Sequence, residues 1–331
     1  MGSKGSSVCL FRLAGGKMAE STWSGAFGSL FENRSSTDKL EQKLRKWAQS
    51  PSESEIEKCD RAVRMIKAAI DADEKLSKMD ISVFAKGSYA NRTNIPSDSD
   101  VDVVVRLNTL YYNIYPEGTT PQTFGFVTAT YIYEHFKADI AAAIVNYFGS
   151  GQVTIGNKAI QVHANTVRVD ADVVPHAVHR HYHADFSYHE GVALKSKDGQ
   201  VIYNWPKQDY DNGVKKNETT GKRYKAITRI FKNLRCEMKE QGYDSADSAA
   251  SYLLACLAYN IPDYIYDDES YVKMTEDCLI FLVQQTSDLN TVAHWNEVNE
   301  RKKLFGSHQG WKFDEVHTFI CDAYRYFQGL K

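Results

Sequence analysis

The stretch that decides the fold is residues 86–106, KGSYANRTNIPSDSDVDVVVR. It follows a short apolar segment, Ile81 to Ala85, and it ends in three consecutive valines after Asp100 and Asp102. Side chains alternate between the two faces of a strand, so these two aspartates share a face. Neighbouring carboxylates repel each other unless a positive charge lies between them. The pattern therefore predicts two strands, the second of which presents a pair of acids to a divalent metal ion.

Gly87 and Ser88 form the predicted turn after the first of these strands. Glycine lets the backbone approach a ligand closely, and the serine hydroxyl adds a hydrogen-bonding group. Phosphate groups bound to a metal ion need this kind of close polar contact. A metal-binding pair of acids beside a Gly-Ser turn therefore indicates chemistry on nucleotides.

A third carboxylate is needed, because two metal ions ~3.5–4 Å apart require about three acids to hold them for phosphoryl transfer. Asp172 is the candidate, since it lies in an apolar stretch just before Val173-Val174-Pro175. Asp98 alternates with the chosen pair and Asp170 with Asp172, so both remain alternates. The competing interpretation is an acidic sheet edge, which is disfavoured because aspartate is rare inside strands.

Composition limits the classes of partner. The 331 residues carry a net charge of −2, and 43% of them are hydrophobic and 25% charged, as in ordinary globular proteins. This balance predicts no constitutive binding of nucleic acid. No apolar run approaches the ~20 residues of a membrane span, so no membrane partner is expected. The six cysteines have no close pair, which indicates reduced thiols and a cytoplasmic location.

The first 35 residues are predicted to form a disordered extension. Met1 to Met18 is rich in Gly and Ser and shows no helix or strand periodicity. Its first six residues match a myristoylation signal. The favoured interpretation is an upstream extension with Met18 as the true start.

The remainder divides into a mixed α/β half, residues 36–205, and an all-helical half, residues 206–331. Apolar residues at steps of three and four predict the helices, and short apolar runs predict the strands. Segment 190–221 is polar and reads as a loop. The predicted helices begin at Ser36 and Ser52 and cover 127–147, 225–238, 246–259, 271–284 and 313–327, and the predicted strands cover 81–86, 100–106, 152–155, 159–164 and 167–174.

Cations for phosphate binding are expected in the helical half. Lys225, Arg229 and Lys232 recur at steps of four and three, so they share one helix face. A solvated basic stripe is the equally weighted alternative. Ser251 and Tyr252 open the next helix, where Ser251 could donate to a phosphate and Tyr252 could stack on a base. For each of these two taken alone, helix packing is the favoured interpretation.

Five histidines crowd one segment, and three of them alternate along it. Such a pattern can bind zinc. No cysteine lies nearby, however, and a partly exposed hairpin would show the same pattern, so a structural zinc site is disfavoured. The histidines are His176, His179, His181, His183 and His189.

The set of a Gly-Ser turn, an Asp-x-Asp pair and a distant Asp resembles the polymerase-β-like nucleotidyltransferases. Further segments are similar to the bacterial CD-NTases, relatives of cyclic GMP–AMP synthase and oligoadenylate synthetase. Ala255 departs from the family, which often has Glu at that position. The resemblance covers residues 36–331, and its segments are Gly87-Ser88, Thr93-Asn94-Ile95, Ser99-Asp100-Val101-Asp102-Val103-Val104, Asp172-Val173-Val174-Pro175 and the helix from Ser251 to Pro262.

This resemblance implies an α+β fold, with a polymerase-β-like nucleotidyltransferase core and a C-terminal helical domain. The core would be a mixed sheet flanked by helices and braced by a long N-terminal helix. The implied reaction makes a cyclic di- or trinucleotide signal for antiphage defence from ribonucleoside triphosphates. ATP and GTP are the first expectation, with pyrimidine nucleotides as an alternative. The implied cofactor is Mg²⁺, with Mn²⁺ as a substitute, and the resemblance leaves room for a regulatory protein partner.

The resemblance also implies residue roles. The three acids would bind the metal ions, and Gly87 and Ser88 would hold the triphosphate. Three further residues rest on a looser match of sequence. Lys232 and Ser251 would contact the far end of the triphosphate, and Tyr252 would stack on a base. The expected metal ligands are Asp100, Asp102 and Asp172.

Two rival functions remain open at this point. One is a nucleotidyltransferase that makes linear oligonucleotides or modifies RNA or a protein partner. The other is a catalytically silent nucleotide-binding scaffold. The intact set of three acids disfavours the second, because a carboxylate cluster is costly without a metal ion.

Overall fold

The computed structural model describes residues 37–96 and 100–331. Within these ranges, seven strands form one mixed sheet, and the second half of the chain is helical. The strands are β1 (Ile81–Ala85), β2 (Val101–Tyr111), β3 (Val153–Ile155), β4 (Ile160–Val162), β5 (Ala171–Tyr182), β6 (Tyr188–Lys195) and β7 (Val201–Asn204). The helices are α1 (37–48), α2 (Glu53–Asp71), α3 (Gly87–Ala90), α4 (Tyr133–Phe148), α5 (Pro206–Thr219), α6 (Arg223–Glu240), α7 (Ser251–Asn260), α8 (Tyr271–Gln285), α9 (Leu289–Val292) and α10 (Phe313–Leu330).

Strand β5 organises the sheet. Its first half lies between β2 and β4, and its second half pairs with β6, which in turn pairs with β7. The β2–β5 pair is parallel, and every other strand pair is antiparallel. The order β1-β2-β5-β4-β3 thus gives the mixed sheet that was expected. The parallel pair decides the site, because it aligns the acids of two distant segments.

The long helix α2 is specified by its own sequence. Ser52 caps its first turn in a reciprocal capping box with Glu55. Cys59, Ile66 and Ile70 are buried on one face and belong to the same apolar core as the valines of β2. The helix α1 behaves differently, because Leu40 and Leu44 pack into the core of the helical half. This helix therefore ties the N-terminal part of the described chain to the C-terminal helices.

Segment 190–221 is not a loop, so that prediction was wrong. It contains most of β6, all of β7 and all of α5. Only four consecutive residues of β6, Gly191 to Leu194, are buried, which is a short apolar signal. Helix α5 buries one residue, Gly213, and its other positions are largely polar, so it lacks an apolar stripe.

Two element boundaries also differ from expectation. Helix α4 begins at Tyr133 rather than near residue 127, and Phe136 is buried while His135 is exposed. Strand β5 continues to Tyr182, well beyond the predicted end at residue 174. Its continuation carries His176, His179 and His181, and it forms a hairpin with β6, which carries His189. In the described ranges, no helix combines the length and the apolar character that crossing a bilayer requires.

Candidate functional site

The two strands that carry the acids lie side by side. In the parallel pairing of β2 and β5, Asp102 is directly opposite Asp172. Paired residues in a sheet point to the same face, so these two carboxylates are neighbours. Asp100 immediately precedes β2, and its charge acts on Asp172. Two segments 70 residues apart therefore place three acids together.

The electrostatics of this cluster favour a cation. Burial raises the pKa of Asp172 above its usual value, and the negative charges of Asp102 and Asp100 raise it further. Lys86 opposes this rise, and its Nζ lies 3.8 Å from Asp102 Oδ1. Lys86 carries one positive charge against three acids, so this cluster taken by itself has an excess of negative charge, while Lys225 and Lys232 line the cavity described below. An all-oxygen donor set of this kind suits Mg²⁺ or Mn²⁺.

The described side chains do not by themselves form a finished metal cage. Across 37–96 and 100–331, no three His, Cys, Asp or Glu groups are arranged to hold a metal ion as they stand. This is compatible with Mg²⁺, which usually binds through one or two carboxylates and completes its shell with water and substrate phosphates. The three acids thus fit a metal ion that arrives with a triphosphate.

The sequence left two alternative metal ligands open, Asp170 and Asp98. Asp170 Oδ1 accepts a hydrogen bond from the backbone N–H of Ala164 at 2.8 Å, and its side chain is not part of the cavity described below. Asp98 lies outside the described residues. The structure therefore places Asp172, rather than Asp170, beside the other two acids.

Gly87 is required where it stands. Its φ is +70°, a backbone conformation that favours glycine. A Cβ at this position would lie 2.4 Å from Asp102 Oδ2, closer than van der Waals contact allows. The predicted Gly-Ser turn is the first half of the one-turn helix α3, and Ser88 O accepts from Thr93 N at 2.8 Å. The backbone at Gly87 thus lies against Asp102, one of the three acids expected to bind metal.

All eight residues that the sequence assigned to the site surround one cavity of about 290 Å³. This volume lies at the lower end of the range for ligand pockets, roughly 300–1,000 Å³. The roles assigned to these residues remain predictions, but the structure does bring them together. They are Gly87, Ser88, Asp100, Asp102, Asp172, Lys232, Ser251 and Tyr252.

The basic face of α6 is buried rather than solvated, so that alternative is wrong for two of its members. Lys232 is 1% exposed and Arg229 is 4% exposed. The Arg229 guanidinium donates to Ala48 O at 2.5 Å and to Arg92 O at 2.6 Å, so it joins α1 to the loop after α3. Lys232 and Lys225 line the cavity. One face of a single helix thus provides a structural cation and two cations at the site.

The start of α7 is held by hydrogen bonds. Arg235 donates to Ser251 Oγ at 3.1 Å and to Ala249 O at 2.9 Å. The Tyr252 hydroxyl donates to Asp209 Oδ1 at 2.6 Å and lies 3.3 Å from Glu297 Oε2. Tyr252 therefore has a fixed hydroxyl, and its ring lines the cavity.

A second cavity of about 950 Å³ adjoins the first. Its lining extends past Arg106 and Glu190, which form an ion pair at 3.3 Å, to the loop before α10. Five residues line both cavities and so form a shared wall. They are Gly87, Asn91, Asp102, Asp209 and Tyr252.

Two residues of this wall, Asn91 and Asp209, were not predicted from the sequence. Asp209 lies in the segment that was interpreted as a loop, and Asn91 is one of many polar residues after the Gly-Ser turn. Asn91 Nδ2 donates to Gly87 O at 3.0 Å, while its Oδ1 accepts no hydrogen bond from the described residues. The only available signal for Asp209 was Pro206, a residue favoured at the first position of a helix.

The histidines lie apart from the acids' cavity. His176 and His179 are fully buried, and burial lowers the pKa of both, to about 3 for His176. Their Nδ1 atoms bond to backbone oxygens of Val174 and Tyr112. The rings of His181, His183 and His189 contact one another near the β5–β6 hairpin. None of the five lines the cavity that contains the acids.

Comparison with known proteins identifies the family. The family model of the cGAS/DncV-like nucleotidyltransferase C-terminal helical domain matches residues 211–328. The cyclic dipyrimidine nucleotide synthase CdnE of Legionella pneumophila is 45% identical over 294 residues, which are 87% of this chain and 98% of that protein. The CdnE of Cecembia lonarensis, of the same description, is 36% identical over 281 residues, 85% of this chain and 95% of that protein.

A solved structure agrees with these relatives. The structure of the Rhodothermus marinus CdnE c-UMP-AMP synthase with Apcpp and Upnpp superimposes with a TM-score of 0.75 at 32% identity. The match covers 88% of this chain and 95% of that chain. The sequence, the mixed sheet and the helical half therefore agree: the chain belongs to the CD-NTase family of nucleotidyltransferases, among its cyclic nucleotide synthases.

Proposed function

We propose that this protein joins two ribonucleoside triphosphates, at least one of them a pyrimidine nucleotide, into a cyclic dinucleotide. The observation that carries the proposal is the shared wall between two adjoining cavities, which contains Asp102. A donor triphosphate in the smaller cavity and an acceptor nucleotide in the larger one would meet at this residue. Two sites that meet at the acids are what a transfer between two nucleotides needs.

The reaction consists of two equivalent transfers. A ribose hydroxyl of the acceptor attacks the α-phosphorus of the donor, and a phosphodiester bond forms. The bond between the α-phosphorus and the bridging oxygen breaks, pyrophosphate leaves, and the hydroxyl proton is released. The second transfer exchanges the roles of the two nucleotides and closes the ring. The large cavity, about 950 Å³, has room for the linear intermediate to turn.

The chain's own groups position these reactants. Gly87 lets the backbone approach the triphosphate, and Ser88 adds a hydroxyl at the same turn. Lys232 and Ser251, on the opposite helical side of the smaller cavity, reach the far phosphates. Tyr252 offers a ring to a base in either cavity. These positions support the roles that the family resemblance implied.

Asp100, Asp102 and Asp172 would hold Mg²⁺, or Mn²⁺ in its place. The ions would lower the pKa of the attacking hydroxyl and neutralise the departing pyrophosphate. Burial raises the pKa of Asp172, and the charges of Asp102 and Asp100 raise it further, which supports this assignment. The family generally uses a divalent metal ion.

The preference for a pyrimidine rests on the relatives. Two of them are described as cyclic dipyrimidine nucleotide synthases, at 45% and 36% identity over most of this chain. The Rhodothermus marinus enzyme is a c-UMP-AMP synthase. We extend a pyrimidine preference to this chain on that basis. The cytoplasmic role in antiphage signalling that we also propose rests on the family resemblance alone.

The test is a product analysis. The purified chain is incubated with every pairwise combination of ATP, GTP, CTP and UTP plus Mg²⁺, and phosphatase-resistant products are identified by mass spectrometry. We expect a cyclic dinucleotide whose formation requires UTP or CTP. Asp172→Asn should lower the rate by about 10²-fold or more. Asp170→Asn is the matched control, because Asp170 immediately precedes β5 and its carboxylate lies outside the cavity. The rate of this variant should stay within about threefold of the wild-type rate.

Three outcomes would contradict the proposal. Products that are only linear would exclude ring closure, and purine-only products would exclude the pyrimidine preference. Modification of added RNA or protein in place of free nucleotides would support the rival transferase.

A further inference from the structure

Two buried acids surround the hydroxyl of Tyr252. Asp209 comes from α5, and its Oδ1 accepts from the Tyr252 hydroxyl at 2.6 Å. Glu297 comes from the segment between α9 and α10, is 5% exposed, and places Oε2 3.3 Å from the same hydroxyl. Three separate parts of the helical half thus converge on one oxygen atom.

The two acids differ in how they are satisfied. Glu297 accepts from Asn299 Nδ2 at 2.6 Å and from Gln309 Nε2 at 2.6 Å, one donor on each carboxylate oxygen. Asn299 Nδ2 also lies 3.1 Å from the Tyr252 oxygen and donates to it. The hydroxyl therefore gives one hydrogen bond to Asp209 and receives one from Asn299. With both interactions in place, the ring has little freedom to rotate.

The environment of Asp209 is crowded with polar groups. Burial, together with the charge of Glu297, raises the pKa of Asp209 to about 7, although hydrogen bonds from Tyr252 and Asn299 and the charge of Lys86 oppose the rise. Cys256 of α7 and Tyr224 of α6 also interact electrostatically with this network. Such a costly carboxyl needs a compensating role.

Tyr252 is the aromatic side chain that lines both cavities of the described chain, and Asp209 lines both as well. Helix α5, which carries Asp209, is itself fixed at two points. Gln208 donates to Glu190 O at 2.9 Å, and Asn212 donates to Val298 O at 2.8 Å. The acceptor for the tyrosine hydroxyl is therefore on a rigid support between the sheet and the helical half.

We propose that Asp209 is a positioning residue that acts through Tyr252, holding its ring as the shared wall against which nucleotides in both cavities bind. The inference rests on the proposed function for the identity of the ligands. Asp209 does not touch the reacting atoms in this scheme. Its loss should therefore weaken nucleotide binding far more than it slows the chemical step.

The test measures binding without turnover. The probe is a non-hydrolysable UTP analogue with Mg²⁺, titrated by calorimetry, and KM and kcat are measured in parallel. Tyr252→Phe removes one oxygen and keeps the ring. We expect it to raise the Kd for the analogue, and the KM for UTP, about tenfold, with kcat within about twofold, because one hydrogen bond contributes about that much.

Tyr259→Phe is the matched control. Tyr259 lies on the same helix, and its hydroxyl donates to Glu300 at 2.6 Å, but it lines neither cavity. This variant should leave Kd, KM and kcat unchanged. Equal effects of the two tyrosine variants would overturn the proposal.

Asp209 itself is tested by rescue. Asp209→Ala should match Tyr252→Phe in Kd, and the double variant should be no worse than either single one, because both remove the same interaction. Asp209→Asn keeps an oxygen acceptor and should restore most of the affinity. Additive effects in the double variant, or no rescue by asparagine, would reject positioning through Tyr252. If Asp209→Ala fails to fold, Tyr252→Phe and Asp209→Asn still decide the question.

Failure of this inference can be told from failure of the proposed function. A wild-type protein that makes no cyclic product, but shows this pattern of analogue binding, would refute the function and keep the positioning role. If the wild-type protein makes the product but Tyr252→Phe is indistinguishable from Tyr259→Phe, the positioning role is refuted and the proposed function is kept.

Discussion

The smaller cavity has two walls that are built in opposite ways. The sheet wall contains Asp102 and Asp172, and the helical wall contains Tyr252 and Asp209. The sheet wall takes its chemistry from strand register, because the parallel pairing of β2 and β5 sets Asp102 opposite Asp172. In the helical wall, the polar side chains lie on separate helices and loops, and individual hydrogen bonds between side chains position them. The bond from the Tyr252 hydroxyl to Asp209 is an example. A regular backbone thus aligns the acids, whereas long-range hydrogen bonds align the groups that face them.

Substitutions in the sheet wall should lower the reaction rate more than substitutions in the helical wall. Gly87→Ala adds a Cβ 2.4 Å from Asp102 Oδ2 at a φ of +70°. Either the acid or the α3 backbone must move, and a shift of about 1 Å at a reacting centre can cost about 10²-fold in rate. We therefore expect a loss of about 10²-fold in cyclic product formation, measured with saturating nucleotides.

Gly118→Ala separates the contact from the backbone strain. Gly118 has a φ of +76° but no atom within 4 Å of an added Cβ. The Gly118→Ala variant should lose about 1 kcal/mol of stability and form cyclic product at the wild-type rate. An equal loss of rate in both glycine variants would show that strain, rather than the contact with Asp102, limits the sheet wall.

Substitutions in the helices behind the helical wall should lower the stability of the protein more than they lower its reaction rate. Arg229 is 4% exposed and donates to two backbone oxygens, Ala48 O and Arg92 O, from different parts of the chain. Arg229→Met leaves both acceptors without this donor, which should lower the free energy of unfolding by about 3 kcal/mol. Chemical denaturation measures this value.

Arg325→Met is the control for that change. The Arg325 side chain is 73% exposed and pairs with Asp322 one helical turn away. Its loss should change the free energy of unfolding by about 0.5 kcal/mol or less. If Arg229→Met costs no more than Arg325→Met, the buried cation does not hold α1 against the loop after α3.

The contrast between the walls also explains what the sequence could predict. Alternation along a strand is a local pattern, so Asp100, Asp102 and Asp172 were found from their neighbours, and the apolar steps of α2 and α6 located those helices. The contact of Asp209 with Tyr252 joins residues 43 positions apart, and the helix that carries Asp209 has no apolar periodicity. Helix α5 buries only Gly213, so its polar surface resembled a loop. Nothing in the local sequence distinguishes a polar residue that faces water from one that faces a cavity.

A further expected effect concerns the proton on Asp209 and is modest for each step in pH. Its pKa in the folded protein, about 7, lies above the ordinary value of 3.8, so the folded state binds a proton more tightly than the unfolded state. The resulting stabilisation is complete below about pH 4 and is lost as the pH rises through 7. Between these limits the free energy of unfolding should fall by at most about 1.4 kcal/mol for each pH unit from this group.

Asp209→Asn isolates that contribution, because asparagine has no proton to lose in this range. The difference in unfolding free energy between wild type and Asp209→Asn should therefore change steadily from pH 5 to pH 6.5, in the direction of a relatively weaker wild type at the higher pH. Urea denaturation at closely spaced pH values measures it. Asp211→Asn, whose carboxylate pairs with Lys207 on the exposed side of α5, should give a constant difference over the same range. A constant difference for Asp209→Asn as well would mean that Asp209 is ionised throughout, and that the helical wall holds Tyr252 with a full negative charge.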